Sequence, residues 1–407
     1  MRNIGIFLLC LLLVVPGCTQ QDTKQEEKPV ISQEQKDFIT TENDFTFTLL
    51  SKLYDQDSYS NASISGTSAY IALCMLANGA KSPCLDEMMT AMGLDGQDIK
   101  NVNQYASKFL HKKYGDEISI VSSNSIWLGK DAMVVEDFAN TMKTQYLSSA
   151  EKIDFSDEKS AQTINAWVDK STNGKIKELV KYDEIKDMLL MLINAIYLKA
   201  PWTNTFDPQA IMDKEFTNIL GQKKNIKMMS KNGIFKFHKG DGFDIARLPY
   251  GKNEDLALYI VLPESVDGLI SLSKFFDRKY FELELAKIKE TELSLQLPKI
   301  KIEFEADLIP TLKGMGMNAI FDPTISDLSD MVANPQNAYV SMIKHKTYVN
   351  IDEDGTEAAA VTGIGMVGSA APDETKPREF IVDHPFMTII RDESTGEVIF
   401  SAFVANP

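Results

Sequence analysis

Gly355-Thr-Glu-Ala-Ala-Ala-Val-Thr-Gly-Ile-Gly-Met-Val-Gly-Ser-Ala-Ala371 is the stretch around which the rest of the chain is read. The protein is 25% charged, yet this run carries one charge, Glu357, and has no Lys, Arg, Asn or Pro. Solvated loops are rich in turn-forming polar residues, so its composition is not theirs. It is also too poor in glycine at its start for a plain flexible linker. Taken with period two, Thr356, Ala358, Ala360, Thr362, Ile364 and Met366 share one face. That face is small at first, then apolar, and uncharged throughout. Glu357, Ala359, Val361, Gly363, Gly365 and Val367 form the other. Such a segment can hang exposed and can also lie down as a central strand with its small side chains packed inward. An edge strand or a surface loop would share the composition.

The flanking residues narrow the reading. Glu353-Asp354-Gly355-Thr356-Glu357-Ala358-Ala359-Ala360 resembles the hinge of the serpin reactive loop. Asp383-His384-Pro385-Phe386 and the ending Phe403-Val404-Ala405-Asn406-Pro407 resemble the serpin carboxyl-terminal signature. Other blocks agree in order. They are Asn61, Ser65, Ser68, Ala72-Leu73, Met75, Gly79-Ala80 and Glu87-Met88; then Ile164 to Val168 with Thr172 to Ile176; then Asn194-Ala195, Tyr197, Lys199, Trp202 and Phe206; then Phe321-Asp322. Cys84 departs from the pattern, which usually has Thr there, and so does Ala200-Pro201. The resemblance covers residues 37–407. It implies an α+β serpin fold with three β-sheets, about eight or nine helices and an exposed reactive loop.

The resemblance also implies a mechanism. The loop is bait: a protease attacks it and forms an acyl-enzyme, a covalent acyl complex, through its own Ser or Cys. The cut loop then inserts into the central sheet and drags the protease out of its working geometry. The expected hinge is Glu353, Gly355, Thr356, Glu357, Ala358, Ala359, Ala360 and Thr362. Gly355 can absorb the change in backbone angles. The small inward face would enter a gap without overpacking it. Non-inhibitory serpins tend to carry bulky, charged or proline residues here, and this hinge has none on that face. Counting as in the family puts the scissile bond between Ser369 and Ala370, with Met366, Val367 and Gly368 as alternates. No Lys or Arg lies between Gly355 and Thr375, which disfavours trypsin-like proteases and suits elastase-like or subtilisin-like pockets. A papain-like cysteine protease stays open. In serpins a histidine and an asparagine meet beneath the sheet where it parts. Carried over, these are His345 and Asn194, with Ser65, Ser68 and Trp202 in the same sheet-opening region. The alternative is a non-inhibitory serpin that acts as a binding lipoprotein.

The amino terminus carries an address. Met1-Arg2-Asn3 and the apolar Ile4 to Val15 read as a secretory signal, too short to span a membrane. Val15-Pro16-Gly17-Cys18 resembles a bacterial lipobox, with residues 1–17 removed and Cys18 lipidated; an ordinary signal peptide is the other reading. Residues 18–36 would then be a polar tether and 37–407 one domain. Thr19 after Cys18 resembles Gram-negative lipoproteins sorted to the outer membrane, so membrane attachment through Cys18 is expected. The remaining cysteines, Cys74 and Cys84, could bridge in an oxidising envelope, although Cys74 lies in an apolar run that favours a buried thiol.

Composition bounds the rest. The net charge of −16 argues against nucleic-acid binding. Ser32 with Gln35 resembles a capping box, and Phe38, Phe45, Leu49 and Leu53 recur at helical spacing. Met188 to Leu198 is an uncharged run that suits a strand covered on both faces, in which Asn194 needs a specific partner. Tyr339 to Ile351 reads as a strand leading into the hinge, with His345 on the face of Ile343, Val349 and Ile351. His111, His238, His345 and His384 are far apart, and there is no CxxC, GxSxG or Walker A loop. Three SxxK matches, beginning at Ser149, Ser271 and Ser341, have no KTG or SDN partner and read as coincidence. No enzyme, no metal, no cofactor and a monomeric state are the expectations.

Overall fold

Ser32 has extended backbone angles, and its hydroxyl accepts the Gln35 N–H, which starts helix α1 (Gln33–Gln56). The structure is a computed structural model; it describes residues 31–334, 338–356 and 376–407. The signal segment, Cys18, hinge residues Glu357 to Thr362 and the candidate bond residues Met366 to Ala370 lie outside the described residues. The helix begins four residues before the expected domain start, so residues 33–36 belong to it and not to a tether. The other helices are α2 (Gly66–Ala77), α3 (Cys84–Ala91), α4 (Ile99–His111), α5 (Glu136–Gln145), α6 (Lys159–Ser171), α7 (Tyr182–Ile185), α8 (Gly268–Phe275), α9 (Arg278–Leu285) and α10 (Ile309–Gly314). They make ten among the described residues, against about eight or nine expected, with Tyr182–Ile185 a single turn.

The first sheet runs β1 (Ala62–Ile64), β15 (Val398–Val404), β14 (Phe386–Asp392), β8 (Leu256–Pro263), β7 (Phe243–Tyr250), β6 (Lys223–Lys239), β9 (Lys289–Pro298) and β13 (Arg378–Ile381), with β5 (Met212–Thr217) also paired to β6. The second runs β10 (Ile300–Asp307), β11 (Met342–Ile351), β12 (Gly355–Thr356), β4 (Leu190–Pro201), β2 (Ser119–Gly129) and β3 (Ser149–Ile153). The resemblance implied three sheets. Hydrogen bonding joins the described strands into two, because the 17-residue β6 pairs with β5 and β9 and then, over Lys236–Lys239, with β7.

The uncharged run becomes the centre of the second sheet. Along β4 the even-numbered Ile196, Leu198 and Ala200 join Val349 and Ile351 in a core shared with Leu248, Leu258 and Ile260 of the first sheet. The odd-numbered Met191, Ile193 and Ala195 pack with Ile164 and Val168 of α6. Both faces are therefore covered, and polar side chains are tolerated there only with partners. Helix α2 is buried along its whole length and ends at Asn78, whose amide nitrogen donates to Cys74 O at 2.8 Å. Cys74 and Cys84 are free and buried.

Candidate functional site

The site begins where two strands diverge. β11 and β4 run parallel and pair from Met342 and Met191 to Tyr348 and Tyr197. Beyond that point the sheet forks. Gly355 and Thr356 enter the gap as β12, antiparallel to both neighbours: Thr356 faces Ile351 on one side and Ala200 on the other, and Gly355 faces Pro201. Gly355 holds φ at +148°, and a Cβ there would lie 2.3 Å from Ala200 O and 2.6 Å from Pro201 Cα. Only glycine allows the chain to turn into the fork this closely.

Several groups hold the turn. Trp202 Nε1 donates to Asp352 O at 2.8 Å, and its ring stacks on Tyr250 with centroids 4.3 Å apart. The main-chain N–H groups of Trp202 and Phe206 donate to Asp354 O and Glu353 O, both at 2.9 Å. Tyr250 Oη meets Thr356 Oγ1 at 2.7 Å, and Thr356 is buried. Lys299 pairs with the Glu353 carboxylate at 2.5 Å and holds its pKa below the ordinary range despite partial burial. Asp352 and Asp354 are pushed the other way, by burial first and then by Glu353.

A second cluster sits further down the fork. Asn194 and His345 are register partners in the β4–β11 pair, and both are fully buried. His345 Nε2 accepts the Ser65 N–H at 3.3 Å, so the ring proton is on Nδ1, which donates to Asn194 Oδ1 at 2.5 Å. Asn194 Nδ2 faces Ser68 Oγ and Asn124 Oδ1, each at 2.5 Å, and Ser68 O at 3.0 Å. Ser68 Oγ meets Ser122 Oγ at 2.7 Å. Burial pulls the His345 pKa down from 6.5 to about 4, so the imidazole is neutral at neutral pH. The network ties α2, β2, β4 and β11 together under the strands that pair below the fork.

Ser65, Ser68, Asn194 and His345 are thus brought together as expected from the sequence. Trp202 is not among them. It clamps the hinge, eight residues along from Asn194, or roughly 25 Å at the rise of a strand. Tyr250, Lys299, Ser122 and Asn124 were not singled out from the sequence. A serine- and asparagine-rich strand (Ser122-Ser123-Asn124-Ser125) was the available signal for the last two. Among the described residues no group of three or more His, Cys, Asp or Glu could hold a metal ion.

Comparison with known proteins places this geometry. A family model described as Serpin (serine protease inhibitor) matches residues 40–407. Serpin-Z2B of Triticum aestivum is 30% identical over 386 residues, covering 91% of this chain and 96% of that protein. An uncharacterized serpin-like protein of Thermococcus kodakarensis is 29% identical over 438 residues, covering 100% of this chain and 99% of that protein. Among solved structures, the thermophilic serpin tengpin in its native state superposes with a TM-score of 0.83 at 27% identity, covering 94% of this chain and 96% of that one. Human thyroxine-binding globulin with thyroxine has a TM-score of 0.84 at 24% identity, covering 92% and 99%, a likeness of fold alone.

Proposed function

The chain belongs to the serpin family, and on that premise we propose that it is a suicide-substrate inhibitor of serine proteases with elastase-like or subtilisin-like specificity. The observation that carries this reading is the fork. The loop's first two residues already lie between β11 and β4, in a register that continues. Extending both registers puts Ala358 between Leu198 and Val349, Ala360 between Ile196 and Thr347, and Thr362 between Asn194 and His345. Ala358 and Ala360 would then face the core shared by the two sheets, and Thr362 would meet the polar pair that now closes the strands. Glu357, on the opposite face, would come between Lys199 and Asn350.

Cleavage of the loop by the target's Ser or Cys leaves the protease acylated to the new carboxyl end. Insertion then replaces direct β11–β4 pairing with two antiparallel ladders and pulls the acyl ester out of the protease's own oxyanion site. A candidate bond at Ser369–Ala370, or at Met366, Val367 or Gly368, suits a pocket for small or medium apolar side chains. The protein is incubated with neutrophil elastase, subtilisin, trypsin and papain and run on a denaturing gel, with mass spectrometry of the cut. An SDS-stable complex cut near Ser369 is expected for the first two. Cleavage without a complex by every protease, at the shortest times, would overturn the inhibitory reading in favour of a binding role.

The same proposal anchors the domain to the outer membrane through lipidated Cys18. The lipobox-like sequence supports it. Cys18→Ser should move the protein from the membrane to the soluble fraction, and an unchanged distribution would sink the anchor.

A further inference from the structure

Behind the hinge clamp lies a cavity of about 300 Å³, lined by Trp202, Phe206, Lys231, Phe235 and Leu248 among others. Its walls are part aromatic and apolar and part charged, with Lys231, Lys236, Arg247, Glu254 and Glu290 among them. Arg247 pairs with Glu254 at 2.9 Å and with Glu393 at 3.0 Å. Lys236 and Glu290 face each other across the β6–β9 ladder. Lys231 differs. Its ammonium donates to Asn204 O and Thr205 O at 2.9 and 3.0 Å and stands 5.9 Å from the Phe206 ring centroid. Among the described residues no carboxylate lies within ion-pair distance of it, and half-burial lowers its pKa. An under-compensated cation in an aromatic cavity is a recognition element for an organic anion.

We infer that this cavity binds a small aromatic monocarboxylate, its ring against Trp202, Phe206 and Phe235 and its carboxylate on Lys231, and that occupancy stiffens the hinge. The coupling is structural. The segment from Trp202 to Phe206 is a wall of the cavity on one side, and on the other its N–H groups and the Trp202 indole hold the carbonyls of Asp352, Glu353 and Asp354. A ligand that fixes this segment fixes the turn into the fork. Resting on the inhibitory reading above, occupancy slows loop insertion and diverts acylated protease into turnover.

Binding is measured by calorimetry on the protein alone, with 1-naphthoate as probe and 1-naphthylmethanol as its uncharged counterpart. Saturable one-to-one binding of 1-naphthoate is expected. Lys231→Met should weaken it at least tenfold and leave 1-naphthylmethanol unaffected, and Lys231→Arg should restore it. Should Lys231→Met fail to fold, Phe235→Ala should weaken both probes several-fold. No saturation at millimolar probe, or affinities indifferent to these substitutions, overturns the site. Hydrogen exchange at the Trp202 and Phe206 amides should slow at least tenfold at saturation, and unchanged rates overturn the coupling. Neither measurement involves a protease, so both decide the inference even where no protease is inhibited.

Discussion

His345 is the residue whose chemistry most constrains this fold. Burial holds it neutral, and the tautomer is fixed because Nε2 must accept from Ser65 while Nδ1 donates to Asn194. A second proton would take away the acceptor that the Ser65 N–H needs and place a charge in a fully buried site. The folded pKa of about 4 lies below the ordinary 6.5, so the unfolded chain binds this proton first. The contribution of His345 to stability is therefore full above pH 6.5, declines as pH falls towards 4, and changes no further below, a loss of roughly 3 kcal/mol. In denaturant titrations across that window, His345→Gln should flatten this acid limb. A limb of unchanged depth would place the acid sensitivity elsewhere. The Asn194–His345 pairing was legible because the residues stand in blocks with family precedent. Their remaining partners were not, since Ser122 and Asn124 reach Asn194 only through the β2–β4 register, which no local spacing encodes. The Tyr250–Thr356 contact and the Lys299–Glu353 pair are of the same kind: each joins segments over fifty residues apart.

At the scale of the element, the two residues of β12 matter more than their length suggests. They hold the sheet open at one end, with Thr356 filling a buried position between Ile351 and Ala200. Thr356→Arg would force a guanidinium into that buried position, and Ala358→Pro would remove a main-chain donor from the strand to be formed. Both variants should be cut at the wild-type rate yet yield little or no SDS-stable complex, so the inhibitor becomes a substrate. A full yield of complex from either would refute insertion as the source of inhibition. Strands with strong apolar runs were readable in outline: the uncharged run became β4, and Tyr339 to Ile351 contains β11. α4 was not read, although Ile99, Val102, Ala106, Phe109 and Leu110 recur at helical spacing, so its signal was present in the sequence. The union of two expected sheets through β6 was not legible either. A strand's pattern shows that it pairs, and says nothing of how many neighbours it meets along its length.

Considered as a whole, the molecule has a sheet with one place reserved. β11 and β4 pair in parallel below the fork, and Gly355 and Thr356, the start of the segment that would complete the sheet, lie at its mouth. Insertion of residues 357–364 would form about two main-chain hydrogen bonds per residue and break the direct β11–β4 bonds. Those bonds, at about 1 kcal/mol net each, are opposed by an ordering cost of about 1–2 kcal/mol for each residue fixed. Two further terms favour insertion: Ala358 and Ala360 would bury methyl groups against Leu198, Ile196 and Val349, and cutting the loop frees it from the span to β13. Cleavage of the loop by a protease that leaves the rest intact should therefore raise the midpoint in calorimetry, although a nick elsewhere in a folded domain lowers it. Thr356→Arg, cut in the same loop, should gain little. An unshifted midpoint in the wild type would mean that the intact fold is already at its minimum. No energy would then be stored to displace a bound protease, and the fork would be a static feature of a binding protein.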